Sequence, residues 1–237
     1  IEPGNAEAHY YYAEIQQQSS NALEAIKHYE DTVRIDPNFA RAYMPLGDLY
    51  YSQDRLSEAA KAYRKAIDLD QSMEKYFFNQ GIAALKSASE KKGRGDIDGR
   101  LKDLKTARTD FEKFVMLYPQ DAEAHFEHGN SCEELGDRDN ALKSYQKTAE
   151  IDPSRQDALL RIASIYKGKE MWNESLATIS RIISMSKDES TAPVLVDAYR
   201  MSAAIHEKLG NFDEAIASLE NTIRLSPSDS EAHYKLG

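Results

Sequence analysis

Six times along the chain a small residue is followed four positions later by a large apolar one: Ala25/Tyr29, Ala59/Tyr63, Ala107/Phe111, Ala141/Tyr145, Ser175/Ile179 and Ala215/Leu219. Pro37, Pro119, Pro153 or Pro227 stands twelve residues beyond the small residue in four of the six. A pattern recurring at a fixed period of this length belongs to stacked supersecondary units, each too small to bury its own apolar face. With the proline position numbered 32, repeats start at Ala6, Ala40, Glu74, Ala122, Gln156, Val196 and Ser230. The spacings are 34, 34, 48, 34, 40 and 34, so insertions of 14 and 6 residues interrupt the period.

Each unit reads as two helices. Tyr43, Leu46, Gly47 and Tyr50 share one face at i, i+3, i+4, i+7, and Ala59, Tyr63, Ala66 and Ile67 share one on the next helix. Gly136-Asp137 and Gly210-Asn211 suit a left-handed helix end followed by a turn. Asp36-Pro37, Asp152-Pro153 and Ser226-Pro227 stop the second helix, because proline cannot continue it and restricts its predecessor. Gly47, Gly81, Gly129, Ala163 and Ala203 occupy position 8 of the first helix. Facing the small residue at position 20, they let two helices approach closely, with the aromatic at position 24 beside them.

The pattern resembles the tetratricopeptide repeat. Tyr43, Leu46, Gly47, Tyr50, Ala59, Tyr63 and Ala66 carry the likeness in one unit, and His125, Gly129, Ala141, Tyr145 and Pro153 in another. Gln71 and Lys187 depart from it at the proline position, Gln80 and Ser202 at the leucine position, and Phe114 and Ile182 at the usually small position 27. The resemblance implies an all-α, right-handed superhelical solenoid of helix-turn-helix repeats. It gives one solenoid over residues 1–237, with repeats at 6–39, 40–73, 74–121 (carrying the 87–100 insertion), 122–155, 156–195 and 196–229 and a partial unit at 230–237. Ile1-Glu2-Pro3 reads as the tail of a preceding repeat and Ala232 to Gly237 as the start of a further one.

The resemblance also implies a function: a scaffold that holds a peptide or protein segment in its concave groove. The alternative is the substrate-targeting arm of a larger enzyme, such as a transferase, whose catalytic domain lies outside this chain. The groove stripe of each first helix is positions 2, 5, 9 and 12, rotated by about 100° from the core stripe. Position 5 gives Tyr10, Met44, Phe78, Phe126, Leu160, Arg200 and Tyr234. Asp48, Ile82 and Asn130 stand at position 9, and Tyr51 and Leu85 at position 12. With Arg161 at position 6, these define the expected groove. Met44, Tyr51, Phe78, Ile82, Leu85 and Phe126 are expected to supply aromatic and methionine anchors, unless they simply complete the helix–helix core. Glu7, Glu14, Asp48, Glu123 and Asp157 would favour a basic flank on an apolar ligand. The carboxylate clamp of chaperone-tail adaptors is absent from the first half, since Tyr10, Glu14, Met44 and Asp48 hold its positions. The asparagine ladder of the sugar-transferase arm is absent too, with Tyr11, Pro45, Asn79, Glu127, Arg161 and Met201 in its place. Arg161, Arg200 and Lys235 make the C-terminal half more basic.

A net charge of −10 argues against nucleic acid, whose phosphates require a basic stripe. No apolar run is long enough to span a bilayer. One cysteine, Cys132, permits no intrachain disulfide and is compatible with the cytosol. His125, His128 and Cys132 fall at i, i+3, i+7, a spacing that could bind a metal, but they occupy core positions, so no metal site is assigned there. His9, at position 4 of its own unit, has no such neighbours along its helix. No phosphate loop, nucleophile elbow or carboxylate pair is present, so neither cofactor nor catalysis is expected. Residues 87–100, with three glycines and many charges, read as a flexible loop. Ser190-Thr191-Ala192-Pro193 reads as an early start to the sixth unit's first helix. Pro45 should bend its helix locally, and the incomplete last unit leaves Tyr234 and Leu236 open to end-to-end self-association.

Overall fold

The computed structural model describes residues 4–185 and 192–237. Among them are thirteen α-helices and no strand. They are α1 (Ala6–Gln18), α2 (Ala22–Ile35), α3 (Ala40–Ser52), α4 (Leu56–Leu69), α5 (Tyr76–Arg94), α6 (Ile97–Leu117) and α7 (Ala122–Glu134). There follow α8 (Arg138–Ile151), α9 (Gln156–Gly168), α10 (Trp172–Met185), α11 (Ala192–Leu209), α12 (Phe212–Leu225) and α13 (Ser230–Leu236). The chain divides into two compact units, residues 1–80 with 112–119 and residues 81–111 with 120–237.

The six small/large pairs form the spine of both units. Ala25, Ala59, Ala107, Ala141 and Ser175 are fully buried, as are Tyr63, Phe111 and Tyr145, with Tyr29 and Ile179 nearly so. In three repeats the aromatic at position 24 (Tyr63, Phe111 or Tyr145) packs directly against the glycine at position 8 of the preceding helix, while Tyr29 stands opposite Ala13 in the first. A Cβ added at Gly129 would sit 2.6 Å from the Tyr145 ring, and one at Gly81 2.7 Å from Phe111. Tyr63 covers Gly47 in the same way. The small residue therefore makes room for the ring itself. Where Ser175 replaces alanine, its buried hydroxyl donates to the Ala163 carbonyl at 2.8 Å, so no polar atom is stranded. Phe114 and Ile182, the large residues at position 27, are both taken into the core.

The turns follow one local rule. In five units the residue closing the first helix adopts a left-handed conformation: Ser20, Asp54, Gly136, Glu170 and Gly210, with φ between 58° and 80°. Glycine takes this geometry freely, and the other three do so at a cost. At the far end of α2 and α8, Asp36 and Asp152 accept a hydrogen bond from the amide two residues on, at 2.9 and 3.0 Å. Asp70 makes the same turn through Ser72 at 3.0 Å although Gln71 replaces proline. The aspartate turn survives the loss of the proline because the side chain, not the ring, supplies the acceptor.

The 87–100 segment is not a flexible loop. α5 runs through it to Arg94 and α6 starts at Ile97, so the insertion lengthens both helices of one hairpin. The residues between them are a stop and a start. Gly95 is left-handed at φ 75°, and Asp96 accepts from the Gly99 amide at 2.9 Å. Lys91 and Asp103 join the two helices at 2.7 Å, and Ala88 and Leu104 are buried there. Ser-Ala-Ser-Glu-Lys-Lys is composed of tolerable or good helix formers, and the glycines fall mostly where the helices end. α11 begins at Ala192, four residues ahead of the repeat boundary, with Pro193 in its first turn. Ser190 and Thr191, like Ile1 to Pro3, lie outside the described residues. α3 continues through Pro45 to Ser52.

Candidate interaction groove

In the second unit, the first helices α7, α9 and α11 share an open cavity of about 700 Å³. Phe126, Leu160 and Met201 contribute to its apolar lining, and Arg161, Lys167, Arg200 and Lys235 with Asp157, Asp197 and Glu231 make up most of its polar and charged lining. Four residues of the expected groove thus meet here: Phe126, Leu160, Arg161 and Arg200. They meet because positions 5 and 6 of successive first helices point the same way when the hairpins stack. Leu85 and Asn130 line a separate, smaller cavity of about 220 Å³ with Leu104, Lys92 and Glu134. Ile82 is exposed on α5.

The cations around the larger cavity are largely engaged. Arg200 holds Asp229 at 2.5 Å, and Asp229 in turn caps α13 through the Ala232 amide at 3.0 Å. That amide, and then the Arg200 guanidinium, keep the Asp229 carboxyl below the usual carboxylate range. Arg161 reaches Glu133 at 3.5 Å, and Lys235 reaches Glu207 at 3.3 Å. Phe126 is itself buried. It packs on Tyr145 with ring centroids 5.5 Å apart, and the Arg155 guanidinium lies 4.1 Å from its centre. Its truncation would open a core cavity as well as alter the groove.

In the first unit Tyr10 is buried, and the other expected groove residues, Met44, Asp48, Tyr51 and Phe78, are half-buried. Tyr10 is 8% exposed, packs against Tyr29 and Phe39, and donates to Glu14 at 2.8 Å. Burial, reinforced by the Glu14 carboxylate, pushes its hydroxyl up to about 12. Asp48 accepts from the Tyr63 hydroxyl at 2.8 Å and from Lys113 at 2.5 Å. Tyr51 donates to Glu112 at 2.7 Å, and Phe78 packs against Phe114. Asn130 plays the part of Asp48 in the second unit, accepting from Tyr145 at 2.8 Å. In these two repeats position 9 therefore satisfies the buried tip of the position-24 tyrosine, a role the sequence reading missed; in the first repeat Gln17 at position 12 accepts from Tyr29 instead, at 3.0 Å. The signal was available: Asp48 pairs with Tyr63 and Asn130 with Tyr145 at the same interval of fifteen residues.

Of the acids expected to favour a basic flank, Glu123 and Asp157 are held by Arg155 at 2.5 and 3.1 Å, Glu14 by Tyr10, and Asp48 by Lys113. His128 is bound to Ser144 at 2.7 Å, and Cys132 is buried 3.6 Å from its other ring nitrogen. His9 does have polar neighbours, but across the helix pair rather than along its own helix: His28 lies 2.9 Å away and Asp31 3.6 Å.

Stacked helix hairpins built on a small/aromatic spine, with an open groove of first-helix side chains, define the class of helical-repeat interaction proteins. The tetratricopeptide repeat profile matches residues 16–74, 93–156 and 201–237, and the chain belongs to that family. Superkiller protein 3 of Schizosaccharomyces pombe is 24% identical over 93% of this chain, and the chain spans 18% of that relative's length. A solved structure of the C-terminal part of a tetratricopeptide repeat protein from Cytophaga hutchinsonii superposes with a TM-score of 0.58, covering 100% of this chain and 89% of the other at 15% identity. YrrB, described as a tetratricopeptide repeat protein with an unusual peptide-binding site, superposes at 0.51 over 87% of this chain and 96% of its own at 17% identity. At these identities the likeness is one of fold. No described helix is long and apolar enough to cross a membrane.

Proposed function

We propose that this chain is a non-catalytic scaffold that holds an apolar peptide or protein segment in the groove formed by α7, α9 and α11. The observation that carries the reading is the open cavity on three successive first helices, lined by Phe126, Leu160 and Met201 among charged residues of both signs. Desolvated aromatic, Met and Leu side chains in a concave site are what an extended apolar segment needs to bury its own anchors. The peptide-binding site named for the YrrB structure supports it by analogy of fold. The mixed, mostly paired charges at the rim set orientation more than affinity. The net charge of −10 favours approach by segments with basic neighbours.

The test is selection of peptides from a random displayed library, followed by measurement of the selected peptides on variants. Ser164, exposed on α9 and lining the cavity, is the site to alter, because Ser164→Arg fills the groove without touching the core. Binding weakened at least tenfold, with helicity unchanged by circular dichroism, is the expected result. Peptides that bind the Ser164→Arg chain as well as the unaltered one would place the site elsewhere. Phe126→Ala is a poor probe, since its burial against Tyr145 makes lost folding and lost binding indistinguishable.

A further inference from the structure

The first helix pair brings together a set of side chains that the scaffold reading does not use. His9 comes from α1, and His28 and Asp31 from α2, where they stand three residues apart on one face. The Nδ1 atoms of the two histidines lie 2.9 Å apart, and Asp31 Oδ2 lies 3.6 Å from His9 Nδ1. One potential ligand atom from each residue falls within 4.8 Å of the other two. We propose that His9 Nδ1, His28 Nδ1 and Asp31 Oδ2 form a binding site for one divalent transition-metal ion of the zinc type, completed by water.

Three features of the arrangement support this. The spacing fits: with bonds of about 2.0–2.2 Å, a tetrahedral ion holds its ligand atoms roughly 3.4 Å apart, and the observed pairs bracket that value. The donor set fits: two imidazoles and one carboxylate suit zinc, cobalt or nickel better than calcium or magnesium, which prefer all-oxygen shells. The surroundings fit as well. Glu24 Oε2 lies 3.8 Å from His28 Nε2, the outer carboxylate that commonly orients a metal-bound imidazole. Arg34 occupies Oδ1 of Asp31 at 2.6 Å, which leaves Oδ2 turned toward the histidines. Without an ion the pair is awkward. The two Nδ1 atoms, 2.9 Å apart, can share only one proton between them, whereas an ion would accept a lone pair from each. The side chains of His28 and Asp31 are 13% and 24% exposed, which gives an ion a path in and room for water.

The experiment uses the whole chain without a histidine tag, stripped of metal by a chelator. Co²⁺ is followed by its visible spectrum, and Zn²⁺ by competition with a chromogenic chelator. One equivalent is expected to bind. His28→Gln and Asp31→Asn, each checked for helicity, should weaken binding by about 100-fold or more, and Glu24→Gln by roughly 10-fold. His128→Gln, which alters the other histidine and cysteine cluster, should change nothing. In the unaltered chain the imidazole nitrogen resonances of His9 and His28 should shift when Zn²⁺ is added, a readout that needs no variant. The site is overturned by no stoichiometric binding, by binding that survives both ligand variants, by loss in His128→Gln instead, or by unmoved His9 and His28 signals. None of these outcomes bears on the groove of α7, α9 and α11.

Discussion

The left-handed residue that closes each first helix shows how one backbone position governs several side-chain choices. Gly136 and Gly210 adopt it without penalty, whereas Ser20, Asp54 and Glu170 hold a Cβ against the following carbonyl. Glu170→Gly should therefore raise stability by about 1 kcal/mol, read as a higher urea midpoint at unchanged slope. Gly129→Ala should act the other way and cost about 1–3 kcal/mol, because the new methyl would meet the Tyr145 ring. Asp229 gives a prediction in pH. Its carboxyl is held below the ordinary range by the Ala232 amide and Arg200, so its folded pKa lies under the unfolded one. The stabilisation is present above the unfolded value and disappears as pH falls through the folded one. Melting temperatures of Asp229→Asn should thus converge on those of the unaltered chain at strongly acidic pH and separate above it. A gap that stays constant with pH would show that the charge is not what matters.

At the scale of the element, the long α5/α6 hairpin is the feature most at odds with a reading of composition. Three glycines and a dense run of charges suggested a loop, yet the charges lie on helix surfaces and the Lys91–Asp103 pair ties the two helices together. The amides of residues 88–94 are expected to exchange with deuterium far more slowly than those at the Gly95–Asp96 turn, since each helical amide is hydrogen-bonded. Exchange at the unfolded rate across 88–94 would return that segment to a loop. The difficulty in the sequence was physical. Glycine both ends helices and loosens loops, and only the partner helix decides which role it takes. The aspartates at the ends of α2, α4 and α8 are the converse case, where a side chain reproduces the turn with or without proline.

At the scale of the whole molecule, repeat proteins unfold by neighbouring units rather than as one body. Tyr234 is 87% exposed on α13. We expect light scattering to show weak, concentration-dependent association of this chain, reduced by Tyr234→Lys; a monomer at all concentrations would remove self-association as a property of this end. The sequence by itself determined the repeat, the helix pairs and the buried spine, because these follow from local periodicity and from small residues placed opposite large ones at fixed intervals. It also marked Leu160, Arg161 and Arg200 as neighbours, since equivalent positions of stacked helices face one way. Tertiary structure alone decided that Tyr10 and Phe126 turn inward, that Asp48 and Asn130 serve the core tyrosines, and that His9 meets His28 and Asp31. Those outcomes depend on which side chain of one helix reaches which side chain of the next, a distance in space that no spacing along a single helix encodes.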